Sequence, residues 1–137
     1  MTERRVEVSC TIRAQREAVF DAWLTPERMK RFLCAGDTHV REARVDPRVG
    51  GEFHIVMAND RGEYDHRGRY VEIDRPARLR FTWASAATDG QDTDVIVTFE
   101  TVDEGTRVTL VHSGLSESQA GRHEAGWRSI LQKLSFG

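Results

Sequence analysis

Polar and apolar residues alternate from Arg5 to Ile12: Val6, Val8, Cys10 and Ile12 fall on one face, Glu7, Ser9 and Thr11 on the other. A period of two predicts a half-buried strand. From Gln15 to Leu24 the period lengthens, with Val19, Phe20 and Trp23 at helical spacing. Thr25-Pro26-Glu27 predicts a second helix start. Thr25 is expected to cap it, Pro26 suits the first helical position, and Glu27 favours the positive helix end. Met29, Phe32 and Leu33 supply the apolar face of this second helix.

The middle of the chain reads as strand and turn throughout. His39 to Val45 is a mixed strand ended by Asp46-Pro47, and Gly50-Gly51 is a break. Phe53, Ile55 and Met57 then share one face, with Glu52 and His54 on the other. Asn59-Asp60-Arg61-Gly62 has the composition of a hairpin turn, because Gly62 tolerates a positive φ. Tyr64 to Ile73 is the return strand, and Asp74-Arg75-Pro76 turns again. Leu79, Phe81 and Trp83 alternate next. A small polar loop covers Ala84 to Gln91, and Val95, Val97 and Phe99 alternate after it. Asp103-Glu104-Gly105 turns the chain into a last strand through Val108 and Leu110. Short strands joined by short turns predict an antiparallel meander.

Helical period returns at the C-terminus. Ser116-Glu117-Ser118-Gln119 fits a capping box, and Trp127, Ile130, Leu131 and Leu134 form one apolar stripe. Gly121 and Gly126 are weak helix residues, so a kink or loose packing is expected in the first turns. A sheet of this size has an apolar face to bury, and only the last helix is long enough to cover it. The sheet is therefore expected to curl around that helix. Whatever part of the concave face the helix leaves open becomes a pocket.

Several segments in this order resemble a known family. They are Val19-Phe20-Asp21-Ala22-Trp23-Leu24-Thr25-Pro26-Glu27, Val49-Gly50-Gly51-Glu52-Phe53, Gly68-Arg69-Tyr70-Val71-Glu72-Ile73 and Arg78-Leu79-Arg80-Phe81-Thr82-Trp83. The most specific runs from Gly105 through His112-Ser113-Gly114 to His123 and Gly126-Trp127. Together they resemble the homologues of the activator of heat-shock-protein-90 ATPase, in their C-terminal-domain-like part, within the START-like, Bet v-like (SRPBCC) helix-grip superfamily. The resemblance implies an α+β helix-grip fold, with one START-like domain over residues 1–137. It would comprise a curved antiparallel sheet wrapped around a long C-terminal helix, with two short helices after the first strand. Family members often carry a tryptophan-rich segment with Gly-Pro after the second helix. Here Phe32-Leu33-Cys34-Ala35-Gly36 stands instead, so a different pocket mouth is expected. The co-chaperones that name the family have an additional N-terminal domain with no counterpart in this sequence. Chaperone interaction and a stress-response role are thus weak implications.

Composition narrows the functional classes. The formal net charge is −2, and the scattered arginines lie among acidic residues. No basic stripe interleaved with exposed aromatics points to nucleic acid. No apolar run is long enough to span a bilayer, and the N-terminus lacks the apolar core of a signal peptide. A cytoplasmic location is expected. Cys10 and Cys34 form no CxxC pair and read as reduced packing thiols. Cys34, close to Gly36, is expected to be open to alkylation.

Expected pocket walls are Phe53, Ile55, Met57, Phe81, Trp83, Val97, Phe99, Trp127 and Leu131. Tyr64, His66, Tyr70 and His112 are candidate polar points among them. For any one of these aromatics plain core packing is the preferred reading over ligand contact. His112 continues the inward alternation of Val108 and Leu110. It is either a ligand contact and general base or a strut that pins the last strand to the helix, the latter being preferred. His123 is expected near it. Asp65 and His66, as strand neighbours, point to opposite faces, so the carboxylate cannot orient the imidazole. Nucleophile-elbow, HExxH and phosphate-loop patterns are absent, and no metal or cofactor is expected.

Binding of a small, largely hydrophobic molecule is therefore the leading expectation, for carriage, sensing or sequestration. A cavity-based enzyme of cyclase or hydrolase type is the alternative, with His112 or His66 as acid–base. A protein-interaction module, including a homodimer through the outer sheet face, is a third.

Overall fold

The computed structural model describes residues 4–136. Its elements are β1 (Arg4–Ile12), α1 (Arg16–Ala22), α2 (Pro26–Phe32), β2 (His39–Val45), β3 (Glu52–Asn59), β4 (Gly62–Asp74), β5 (Arg78–Ser85), β6 (Thr93–Val102), β7 (Gly105–Leu115) and α3 (Glu117–Phe136). The strands form one antiparallel sheet in the order β1-β7-β6-β5-β4-β3-β2. Its concave face grips α3. Strands β2 to β7 make the expected meander, and β1 returns to pair with β7, from Ile12 opposite Thr106 to Val6 opposite His112.

The alternation in each strand becomes burial. Val6, Val8 and Ile12 are buried, as are Val95, Val97, Phe99, Val108 and Leu110, while their neighbours are more open. In β7 the alternation is broken once, at a bulge against β1. Gly114 sits there at φ +85°, a conformation that favours glycine. The bulge turns Leu115 into the core, where it is fully buried, and aims the chain at α3. The capping box of α3 forms as expected. Gln119 N donates to Ser116 Oγ at 3.3 Å, and Ser116 N donates to Gln119 Oε1 at 2.9 Å.

Because β1 and β2 are opposite edges, α1 and α2 must carry the chain from one edge to the other. They close one end of the concave face. Phe20 meets Phe99 edge-on at 5.1 Å, and Trp23 meets Phe32 at 5.1 Å and Phe99 at 6.4 Å. At the same end, Lys133 Nζ on α3 donates to the carbonyls of Cys34 (2.6 Å) and Gly36 (2.8 Å), and Gly36 N donates to Ser129 Oγ (2.9 Å). These bonds tie the segment after α2 onto α3.

Three local expectations need correction. Cys34 is buried, not open, because α3 and Lys133 cover it. Thr25 makes no cap bond to α2; its hydroxyl turns back and donates to the Asp21 carbonyl at 2.7 Å, closing the end of α1. Residues 84–91 are not only loop. Ala84 and Ser85 end β5, and Ala86–Thr88 form one 3-10 turn capped by Ser85, with Thr88 buried. Helix α3 runs unbroken through Gly121 and Gly126, with open space beside Gly121. No helix among the described residues is long and apolar enough to cross a membrane.

Candidate functional site

Helix α3 lies mainly over β1 and β7. The flank formed by β3, β4 and β5 is therefore only partly covered, and a cleft opens there. Its deeper part, about 120 Å³, is bounded by Met57, His66, Trp83, His123, Trp127 and Ile130. An outer part of about 470 Å³ shares Ala35, Met57, His66, Ser85 and Ala87 with it, and extends to Thr38, Asn59 and Tyr64. The two adjoin through these shared residues, and the outer part adds the acidic residues Glu63 and Asp65.

Strand parity builds this wall. Tyr64, His66, Gly68 and Tyr70 alternate inward along β4, opposite Met57, Ile55 and Phe53 of β3 and Phe81 of β5. Gly68 has to be glycine, because a Cβ there would overlap the Phe53 ring and the Thr82 carbonyl. The ring of Phe53 occupies that space. On the helix side Gly126 keeps the cleft open, since a Cβ at this position would already touch Ala35 at 3.5 Å.

His112 stands behind this wall, fully buried. Trp127 Nε1–H donates to its Nδ1 at 2.9 Å, and its Nε2 lies 2.7 Å from Thr93 Oγ1. An indole nitrogen can only donate, so Nδ1 must be the unprotonated nitrogen. The proton is then on Nε2 and goes to Thr93 Oγ1, whose own proton goes to the Trp83 carbonyl. Burial pushes the imidazole down to about 3, with His123 adding to the effect. His112 is neutral, and both of its nitrogens are occupied. It links α3, β7, β6 and β5, which is the strut of the preferred sequence reading; a general base would need a free ring nitrogen. The His123 ring meets it edge-on at 4.9 Å.

His66 and His123 are the imidazoles that border the cleft. His66 Nδ1 donates to the Tyr64 carbonyl at 3.1 Å, and its ring lies 5.0 Å from that of Trp83. Burial pushes it down to about 4, against the opposing pull of the Tyr64 and Ile55 carbonyls. It therefore faces the cleft as a neutral ring at pH 7. Asp65, on the other face as expected, pairs with His54 at 2.7 Å. His123 holds the Gln119 carbonyl through Nδ1 at 2.8 Å. Tyr64 is part-exposed at the mouth and donates to Asn59 Oδ1 at 3.2 Å. Burial pushes the Tyr70 phenol up, with Asp46 adding to it, so Tyr70 keeps its proton.

The residues anticipated from the sequence fall into three groups. Met57, Tyr64, His66, Trp83 and Trp127 border the cleft. Phe53, Tyr70 and Phe81 meet Trp83 around a small inner void. Ile55, Val97, Phe99, His112 and Leu131 are packed into the core and border none of these spaces. Alternation alone does not separate the groups, since parity tells inside from outside but not which inward residue lies beneath the helix. Thr93 shares the inward parity of Val95, so that parity could have flagged it. Ala35, Ala87 and Arg122 join the cleft only through loop and helix placement, whereas Ser85 ends β5 with the parity of Phe81 and Trp83.

Two other depressions lack this mixture. One of about 460 Å³ on the outer face is walled largely by charged side chains, among them Arg44, Asp46, Glu52, Arg67, Arg69 and Asp92. Another of about 200 Å³, between α1, α2 and the end of α3, is apolar apart from Arg28 and Arg31.

The same architecture recurs in solved structures. The AHSA1 protein of Silicibacter pomeroyi is 27% identical, with a TM-score of 0.83 over 97% of this chain and 96% of its own. The AHSA1-like protein of Aeromonas hydrophila is 28% identical, with a TM-score of 0.81 over 97% of this chain and 90% of its own. A Chromobacterium violaceum protein, CV1439, at 21% identity, shares the fold with a TM-score of 0.84 over 96% of this chain and 94% of its own. No curated protein matches the chain. The profile described as Activator of Hsp90 ATPase homolog 1-like protein matches residues 13–135, which span both short helices, the meander and the gripped helix. By that match and this fold, the chain belongs to the Activator of Hsp90 ATPase homolog 1-like family.

Proposed function

We propose that this protein binds a small, largely apolar molecule in the cleft between α3 and strands β3 to β5, in order to carry, sense or sequester it. The observation that carries the reading is the composition of the cleft. Apolar depth from Met57, Trp83, Trp127 and Ile130 is combined with a few convergent polar groups, His66, His123 and Tyr64. Ligand sites have this mixture of apolar walls and sparse polar points. The neutral His66 ring offers an ion no opposite charge, and the charged residues on the cleft are Arg122 in the deeper part and Glu63 and Asp65 in the outer part.

Native mass spectrometry of the purified protein and a thermal-shift panel of apolar compounds test the reading. A retained small molecule, or a concentration-dependent rise in Tm, is expected. Gly126→Leu places a side chain in the cleft without removing a hydrogen bond, and should abolish the shift while leaving the protein folded. Failure of every compound to bind the parent protein would sink the proposal, as would unaltered binding by the Gly126→Leu variant.

A further inference from the structure

Behind Trp83 lies a second, much smaller space. It is a void of about 10 Å³ bounded by Trp23, Met29, Phe53, Tyr70, Phe81 and Trp83 with Leu33. That is close to the least room a single water needs. Two of its walls are hydrogen-bond donors. The Trp23 indole N–H and the Tyr70 hydroxyl belong to residues only 2% exposed, and neither atom has a partner among the described residues. Buried donors without acceptors destabilise a fold. Trp23 and Tyr70 thus bring two unpartnered donors to the surroundings of one void, and Arg16 Nε is the other buried side-chain atom without a partner among the described residues.

Trp83 separates this void from the cleft and borders both. On the cleft side its ring meets His66 and Trp127, each at 5.0 Å. On the inner side it meets Phe53 at 6.0 Å and Phe81 at 6.2 Å. Movement of this one side chain would make a single channel of the two spaces, with Trp23 and Tyr70 at its inner end.

We propose that the molecule held in the cleft carries a neutral hydrogen-bond acceptor, a carbonyl oxygen, on its leading end, and that this oxygen passes Trp83 to accept from Tyr70 O–H and Trp23 N–H. The inference rests on the cleft being a ligand site and adds the chemical class of the ligand. An indole N–H can only donate, and the burial that holds the Tyr70 phenol protonated makes it a donor too. An ammonium head would bring three donors to one acceptor, the Tyr70 hydroxyl oxygen, with no anion among the residues that bound the void. A carboxylate would be buried without a cation among the residues that bound the void. A ketone, aldehyde or ester satisfies both donors and leaves its alkyl chain against the apolar walls of the cleft.

The test compares methyl heptyl ketone, nonane and nonylammonium for binding to the full chain, and to its Tyr70→Phe variant, by calorimetry and thermal shift. The ketone should bind the parent about tenfold or more tighter than nonane, as two neutral hydrogen bonds allow, and nonylammonium should bind more weakly than either. In Tyr70→Phe most of the ketone's advantage should vanish, and the ligand-free Tm should be equal or higher because an unpaired hydroxyl has gone. Equal binding of ketone and nonane to the parent overturns this inference and leaves the apolar site standing. Binding of neither overturns the site itself, and the inference with it. A Tyr70→Phe variant that keeps the full ketone preference, or that unfolds at lower temperature than the parent, marks the hydroxyl as structural and also overturns the inference.

Discussion

The indole N–H of Trp127 donates to Nδ1 of His112 at 2.9 Å, and this one bond joins the gripped helix to strand β7. It also sets the tautomer that lets His112 Nε2–H reach Thr93, whose hydroxyl bonds the Trp83 carbonyl. The wall of the cleft is thereby tied to the helix that faces it.

Trp127→Phe keeps most of the buried area but leaves His112 Nδ1 without a donor. A loss of about 2–4 kcal/mol is expected. Thr93→Val breaks the same chain at the other nitrogen and should cost about 1–3 kcal/mol. Because both act through His112, the double variant should lose less than the sum of the two. Urea denaturation of the three variants measures this, and strict additivity would contradict a shared network.

Stability should fall as the solution is acidified below about pH 6.5. His112 and His66 have folded pKa values of about 3 and about 4, against 6.5 in the unfolded chain. Between those limits the unfolded chain holds more protons than the native one, so unfolding is favoured as pH drops. Each unmatched proton adds about 1.4 kcal/mol per pH unit, in full for buried His112 and less for half-buried His66. Asp21, Asp37 and Asp65 have pKa values lowered from 3.8 by Arg75, by Asn59 with Arg61, and by His54 respectively, so their contribution is lost only at lower pH. His66→Gln should flatten part of the slope above that range. A denaturation free energy independent of pH across the window would contradict the neutral, buried state of these rings.

Lys133 ties the segment after α2 to α3 through the carbonyls of Cys34 and Gly36, with Nζ 3.6 Å from Cys34 Sγ. Lys133→Met removes the donors and strands both carbonyls, at a cost of about 1–3 kcal/mol. Iodoacetamide should label Cys34 slowly in the parent and faster in this variant. Equal labelling rates would show that the lysine does not hold the segment in place.

Gly68→Ala is a change of one methyl group, yet it forces overlap with the Phe53 ring and the Thr82 carbonyl between two paired strands. Backbone cannot move aside as a flexible side chain can, so a loss of about 3 kcal/mol or more is expected. A variant as stable as the parent, by thermal unfolding, would mean that β4 and β5 shift apart without penalty.

Much of this architecture was legible in the chain. Period-two runs such as Val6 to Ile12 and Val95 to Phe99 became strands, and the Trp127 to Leu134 stripe became the gripped helix, because side-chain direction repeats with the local backbone geometry. Ser116 and Gln119 formed their capping box because both groups lie within one turn. Thr25 did not follow its sequence signal, since donating to the Asp21 carbonyl turns its hydroxyl toward α1 and away from the α2 backbone N–H groups it would have to accept from.

The site was legible only as a set of inward residues. Their order and parity come from the sequence, because alternation is a property of neighbouring residues. Which of them border a cleft was decided by where α3 lies across the sheet, a matter of packing between segments far apart in the chain. The same packing turned His112 from a candidate base into a neutral strut, by bringing Trp127 and Thr93 to its two nitrogens. It also left Trp23 and Tyr70 beside one void, which no local pattern could have foretold.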